Sequence, residues 1–194
     1  MSEITNDHPR YPIEFSGAPR LVVRLPSLQT PIELLVTTMT VSETLNAHAF
    51  TSGLSGSQVA KLAEFAQEVS FREDEIILVA GQQSKHFYLL LGGSVCIEVG
   101  TRSYVVWVQI LSPGDAFGWS ALLDHHDTLF QVRAREASRA LCLDGERLSA
   151  ALHADSELAA EMFRRTLALV AGRVQATEAR LGEMCGVKLT EPRP

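Results

Sequence analysis

No apolar run in the 194 residues reaches the roughly 18 positions that a membrane-spanning helix needs. The stretch from Met1 to Pro12 carries acidic and polar residues where a signal peptide would place a basic segment and then an apolar one. A soluble, unexported chain without a membrane partner is the expectation. Cysteine is scarce: Cys96, Cys142 and Cys185 form no CxxC motif and no even-numbered framework of the kind used by secreted disulfide proteins or structural zinc sites. A reducing cytoplasm fits best. Positive charge is short too, with 17 Lys and Arg against 23 Asp and Glu and a formal net charge of −6. A nucleic-acid surface needs clustered basic residues, so direct nucleic-acid binding is set aside. The GxSxG, HExxH and GxxxxGK[ST] patterns of hydrolytic and nucleotide-triphosphate chemistry are missing as well, and the chain is read as a non-enzyme.

What remains is the composition of an ordinary globular domain, 46% hydrophobic and 21% charged, at a length that suits one core. Pro9, Pro12, Pro19, Pro26 and Pro31 restrict the first residues to short extended pieces. Residues 1–40 are read as a proline-rich arm, 41–186 as the folded domain and 187–194 as a tail. Between Val41 and Ala66 the apolar spacing is helical, broken by Gly53 and Gly56, with Ser57 placed to cap the second piece. From Phe71 to Leu143 the pattern changes to short β-rich runs separated by turn residues, the signature of an antiparallel sandwich or barrel. The runs are 76–79, 87–91, 95–99, 104–110, 130–134 and 138–143, and the punctuation is Gly81, Gly92-Gly93, Gly100, Pro113-Gly114 and Gly118.

After Asp144 the spacing becomes helical again to about Met184, with Asp155 or Ser156 as a cap for the longest piece. Phe163, Leu167, Val170, Val174, Thr177, Leu181 and Met184 follow at intervals of 4, 3, 4, 3, 4 and 3, a heptad seam of mostly apolar residues. Such a stripe could pack on the chain's own β unit. Three heptads favour a helix partner instead, and a homodimer through this C-terminal helix is the economical answer.

The stretch from Leu54 to Gly100 and the segment Leu111-Ser112-Pro113-Gly114-Asp115-Ala116-Phe117-Gly118-Trp119-Ser120-Ala121-Leu122-Leu123, followed by Val132-Arg133-Ala134, together resemble the cyclic-nucleotide-binding domain family of bacterial catabolite-activator-like regulators, kinase regulatory subunits and gated channels. The resemblance covers about residues 45 to 186. It implies an α+β, mainly β fold: an antiparallel β-roll, or double-stranded β-helix of jelly-roll type, with short lead-in helices and a long C-terminal dimer helix. The second segment is similar to the family's phosphate-binding cassette. The resemblance therefore implies ligand contacts from Phe117, Gly118, Trp119, Ser120, Ala121, Thr128, Leu129 and, on the dimer helix, Thr177.

Two family contacts are replaced. Trp119 stands where the cassette has the Glu that accepts the ribose hydroxyl. Counting six positions back from Ala134, the Arg that pairs with the phosphate falls on Thr128, with Leu129 next. Leaving a buried phosphate without its cation costs about 3–5 kcal/mol, roughly a hundredfold to several-thousandfold in affinity. Thr177 matches a Thr that touches adenine in the catabolite activator, while Glu178 replaces the neighbouring Ser. Trp119 either stacks on a flat ligand or fills an unused cavity. Arg133 is read as structural. His125-His126 is read as part of an acidic surface loop, because adjacent histidines on a strand point to opposite faces and no third ligand is suitably spaced; no metal is expected.

The expected protein is a stand-alone regulatory or sensory module without a DNA-binding domain, binding cyclic AMP or GMP weakly or not at all, or holding an unidentified small molecule. No other cofactor is implied. The alternatives are a scaffold or accessory subunit with a closed pocket whose arm engages a partner protein, or a truncated regulator that forms mixed dimers through the seam.

Overall fold

The structure is a computed structural model that describes residues 39–100, 104–123, 127–128 and 130–186. Nearly all of the proposed arm, the 187–194 tail, the His125-His126 pair and Leu129 lie outside the described residues. The elements in chain order are α1 (Val41–Ala47), α2 (Gly56–Ala63), β1 (Ala66–Phe71), β2 (Ile76–Leu78), β3 (His86–Gly92), β4 (Val95–Gly100), β5 (Val105–Leu111), β6 (Ala116–Phe117), a 3-10 turn (Trp119–Leu122), β7 (Gln131–Ala134), β8 (Ser138–Asp144), α3 (Gly145–Ala154) and α4 (Ser156–Met184). The strands form two antiparallel four-stranded sheets in the orders β1-β8-β3-β6 and β2-β7-β4-β5. This is the expected β-roll with lead-in helices and a long C-terminal helix.

One sheet lies between two apolar layers, and its central strands record this in their sequence. On β3, Phe87 and Leu89 join Leu141 and Leu143 of β8 in a core shared with the helices, while Tyr88 and Leu90 join Ala140 and Cys142 in the core between the sheets. Paired residues share a face: Phe87 opposes Leu143, and Tyr88 opposes Cys142. A strand buried on both faces has no need to alternate apolar with polar, which accounts for the unbroken run Phe87-Tyr88-Leu89-Leu90-Leu91. Such a run does not specify register by itself, because a one-residue slip exchanges one apolar face for another. Close backbone approaches at the two ends of the pairing do so. A Cβ on Gly93, whose φ is +76°, would lie 2.6 Å from the Ala137 carbonyl oxygen, and one on Gly145 would lie 2.8 Å from that of Lys85.

The helices are positioned by capping and by ion pairs. Thr40 and Ser55 cap α1 and α2, each in a reciprocal box with Glu43 or Gln58. Ser55 therefore takes the capping role expected of Ser57, and α2 begins two residues earlier, at Gly56. Asp155 caps α4 through the Leu158 N–H at 3.0 Å, as the sequence suggests, and also pairs with Lys61. Arg165 ties the same helix to the α1–α2 connection by donating to the carbonyl oxygens of Phe50 and Ser52. Its guanidinium and that of Arg164 hold the Glu161 carboxyl down at about 2.

The sequence reading missed β1 and β6. The helical spacing extends to Ala66, yet that residue opens β1 and pairs with Leu143. Strand β6 has two residues, too few to show a period.

His48, at the end of α1, is buried beside β3. Its Nε2 lies 3.1 Å from the Leu90 carbonyl oxygen, and its Nδ1 accepts the Phe50 N–H at 3.1 Å. That arrangement calls for a neutral ring with the proton on Nε2. Burial pushes the imidazole pKa below its ordinary 6.5, outweighing the opposite pull of the Leu90 carbonyl and of Asp115. The unfolded chain thus binds this proton more readily than the folded one, so stability falls as pH drops below about 6.5. Urea unfolding at pH 7 and pH 5 is expected to show a larger loss for the wild type than for His48→Gln, by up to about 1.4 kcal/mol for each pH unit of the depression.

Candidate ligand-binding site

The cassette turn is built onto the start of β3. Gly118, at φ 81° and ψ 23°, ends β6 and opens the 3-10 turn, and a Cβ there would stand 2.4 Å from the His86 carbonyl oxygen. Only glycine meets both the left-handed backbone and that approach. Ser84 braces the same corner: its hydroxyl donates to the His86 carbonyl at 2.6 Å, and its N–H donates to the Ser120 hydroxyl at 3.3 Å. Phe117 is held from below by Tyr88, their rings stacked at 4.8 Å. Burial raises the Tyr88 phenol well above its ordinary pKa, keeping it neutral within the inter-sheet core.

Above the turn lies a small cavity of about 40 Å³, lined by Leu78, Ile97, Phe117, Gly118, Trp119, Ser120, Thr128, Phe130, Val132 and Arg173. Five of the eight sequence-derived ligand residues therefore converge: Phe117, Gly118, Trp119, Ser120 and Thr128. Ala121 does not line the cavity; its side chain lies against Gly145. Thr177 does not line it either, and its hydroxyl donates to the Arg173 carbonyl one helical turn back at 2.8 Å. Trp119 borders the cavity and also packs against the helix-side core. A space of this size holds about three waters, far below the roughly 300 Å³ minimum of small-molecule pockets.

The residue that sequence reading missed is Arg173. It is 7% exposed, and among the described residues its Nη1 is buried without a hydrogen-bond partner and no carboxylate lies within ion-pair distance of it. Burial lowers its pKa to about 10 against the opposing field of Asp115, which leaves it charged at neutral pH. On its other side runs a groove of about 350 Å³ between α4, β5 and the turn before β6. A signal for Arg173 exists in the sequence. Leu158, Met162, Leu169 and Arg173 share one helical stripe, the one that faces the roll, and Arg173 is the charge within it.

The heptad seam falls on a different stripe. Phe163, Leu167, Val174, Leu181 and Met184 are each at least half exposed, Leu167 most of all at 69%, while Val170 and Thr177 are half-buried. The seam does not pack on the chain's own β unit. Arg133, read as structural, donates from Nε to Glu98 at 2.8 Å and from Nη1 to the Asp74 carbonyl. Glu98 is 2% exposed and also accepts from Gln131, so this buried carboxylate is neutralised away from the cavity. Cys96 and Cys142 are buried. Among the described residues no cluster of His, Cys, Asp or Glu could hold a metal ion, and no helix is long and apolar enough to cross a membrane.

A two-sheet roll with a glycine-opened turn and a long flanking helix is the architecture of cyclic-nucleotide-binding domains. Residues 68–155 match the model of that family, the cyclic nucleotide-binding domain. The HTH-type transcriptional regulator Cmr of Mycobacterium tuberculosis (strain CDC 1551 / Oshkosh) is 30% identical over 133 residues, covering 69% of this chain and 53% of the regulator. The chain thus spans about half the length of that relative. A crystal structure from Geobacter metallireducens GS-15, described as a cyclic nucleotide-binding protein, aligns with a TM-score of 0.62 at 25% identity, over 70% of this chain and 99% of the other. A cyclic nucleotide-binding domain from Methylobacillus flagellatus KT has the same fold, with a TM-score of 0.62 at 18% identity over 78% of this chain and 84% of its own.

Gly118→Ala tests how the site is built. A left-handed alanine pressed against the His86 carbonyl is expected to lose at least about 2 kcal/mol of stability, read as a clear fall in melting temperature. Gly100→Ala, where an added Cβ meets nothing within 4 Å, is expected to change stability by less than about 0.5 kcal/mol.

Proposed function

We propose that this chain is a dimeric, non-enzymatic regulatory domain whose pocket no longer recognises cyclic nucleotides at signalling concentrations. The observation that carries the reading is the composition of the cavity: Trp119 and Thr128 line it at the two positions where the family places its ribose and phosphate contacts, and its volume is about 40 Å³. Without the cassette cation, cyclic AMP loses about 3–5 kcal/mol, moving a micromolar ligand toward millimolar. Its base and sugar would also have to displace Trp119. Millimolar cyclic AMP or cyclic GMP is expected to leave the melting temperature and the Trp119 fluorescence nearly unchanged, with Trp107→Phe used to isolate the signal. Saturation by micromolar nucleotide would defeat the reading. The double variant Trp119→Glu, Thr128→Arg is expected to bind cyclic AMP at least tenfold more tightly than the wild type, because the glycine-opened turn on which those side chains would act is in place.

Self-association through α4 is the second element of the proposal. The seam is apolar, periodic and distinct from the stripe that packs on the roll, which supports pairing with a second copy in parallel. Light scattering coupled to size exclusion is expected to give a dimer for the wild type. Leu167→Glu, placing a charge in the middle of the seam, should give a monomer that keeps its fold by circular dichroism; a Leu167→Glu dimer would refute the seam as the interface.

A further inference from the structure

Among the described residues Arg173 is a buried charge without a counter-charge, and the groups around it have a common sense. The Ser120 hydroxyl accepts the Ser84 N–H and the Thr128 hydroxyl accepts the Phe130 N–H. Each oxygen already accepts one backbone N–H, and neither hydroxyl proton is donated among the described residues, so each keeps its proton to offer to a ligand. The rest of the side-chain lining is apolar. Among the described residues the cavity therefore presents a guanidinium and two hydroxyls, no carboxylate, and a volume of about 40 Å³.

The acidic candidates nearby do not answer the charge. Glu98 is committed to Arg133 and Gln131. Asp115 acts on Arg173 through its field, but it is exposed, accepts the Ser112 N–H and makes no ion pair with the guanidinium. A guanidinium is not relieved by deprotonation at neutral pH, and no carboxylate among the described residues pairs with it, which leaves its charge to be met by a ligand.

We propose that the cavity is the site of a compact oxyanion, of phosphate or sulfate size, held by Arg173, Ser120 and Thr128. This deepens the altered-pocket reading and rests on it. The cation sits on the helix that carries the dimer seam rather than on the cassette turn. Arg173 lies next to seam residue Val174, and its carbonyl accepts the Thr177 hydroxyl, so binding the oxyanion fixes the phase of α4 against the roll. Occupancy and dimer geometry are thereby coupled through one side chain.

The test compares melting temperatures of the wild type and Arg173→Met in inorganic phosphate and in chloride at equal ionic strength. The methionine variant controls for general stabilisation by excluded salts. In phosphate the wild type is expected to gain several degrees that Arg173→Met does not gain. In chloride alone Arg173→Met should melt at or above the wild type, because the substitution removes a buried charge that has no ion-pair partner among the described residues. Glycerol phosphate, run in parallel, separates a free oxyanion from the terminal group of a larger ligand: a response at least equal to that of phosphate indicates the latter, and a weaker one the former. Equal phosphate responses in both proteins, or an Arg173→Met that is destabilised in chloride, would overturn the oxyanion site. Cyclic AMP keeps the two claims apart. Stabilisation by micromolar cyclic AMP removes the altered-pocket reading and this proposal with it, whereas phosphate indifference without a nucleotide effect removes this proposal alone.

Discussion

The pairing of β3 with β8, buried on both faces, is the constraint from which the rest of the domain is laid out. Its inner face closes the core between the sheets, and its outer face carries the helices α1 to α4. Because apolar residues occupy both faces, hydrophobicity drives the pairing without choosing its register. The choice is made where backbone meets backbone, at Gly93 against Ala137 and at Gly145 against Lys85. The second contact lies beside His86, whose carbonyl oxygen also receives the close approach of Gly118. Core register and pocket geometry are therefore set at the same corner.

Charge is distributed with similar economy. The buried carboxylate of Glu98 is neutralised by Arg133 on the neighbouring strand, and Arg165 finds two carbonyls and Glu161. Arg173 alone is buried and unanswered among the described residues. In a domain whose other buried charges are paired, this exception points to a ligand rather than to loose packing, since an unpaired buried charge is among the costliest features a fold can retain.

The sequence was most informative where a long element repeats or a turn demands glycine. The six strand runs, the cap at Asp155 and the separateness of the seam all follow from spacing and residue type. Strand β1 was obscured because Ala66-Gln67-Glu68-Val69-Ser70-Phe71 mixes polar residues on both faces and follows a helix without a break. The site was half legible. Resemblance located the turn from Phe117 to Ser120 and the substitution at Thr128, because cassette order is local in sequence. It named Thr177 and passed over Arg173, because which residue of a long helix enters a pocket depends on the rotation of that helix against the roll. The stripe from Leu158 to Arg173 sets that rotation through tertiary packing, and heptad spacing does not report it.

The central claim is that the pocket's positive charge now resides on α4 and awaits an oxyanion. Anomalous diffraction from a crystal soaked in selenate addresses it most directly. A selenium peak is expected within hydrogen-bonding reach of the Arg173 guanidinium and the Ser120 and Thr128 hydroxyls. A cavity without selenium, with Arg173 paired to Asp115, would contradict it.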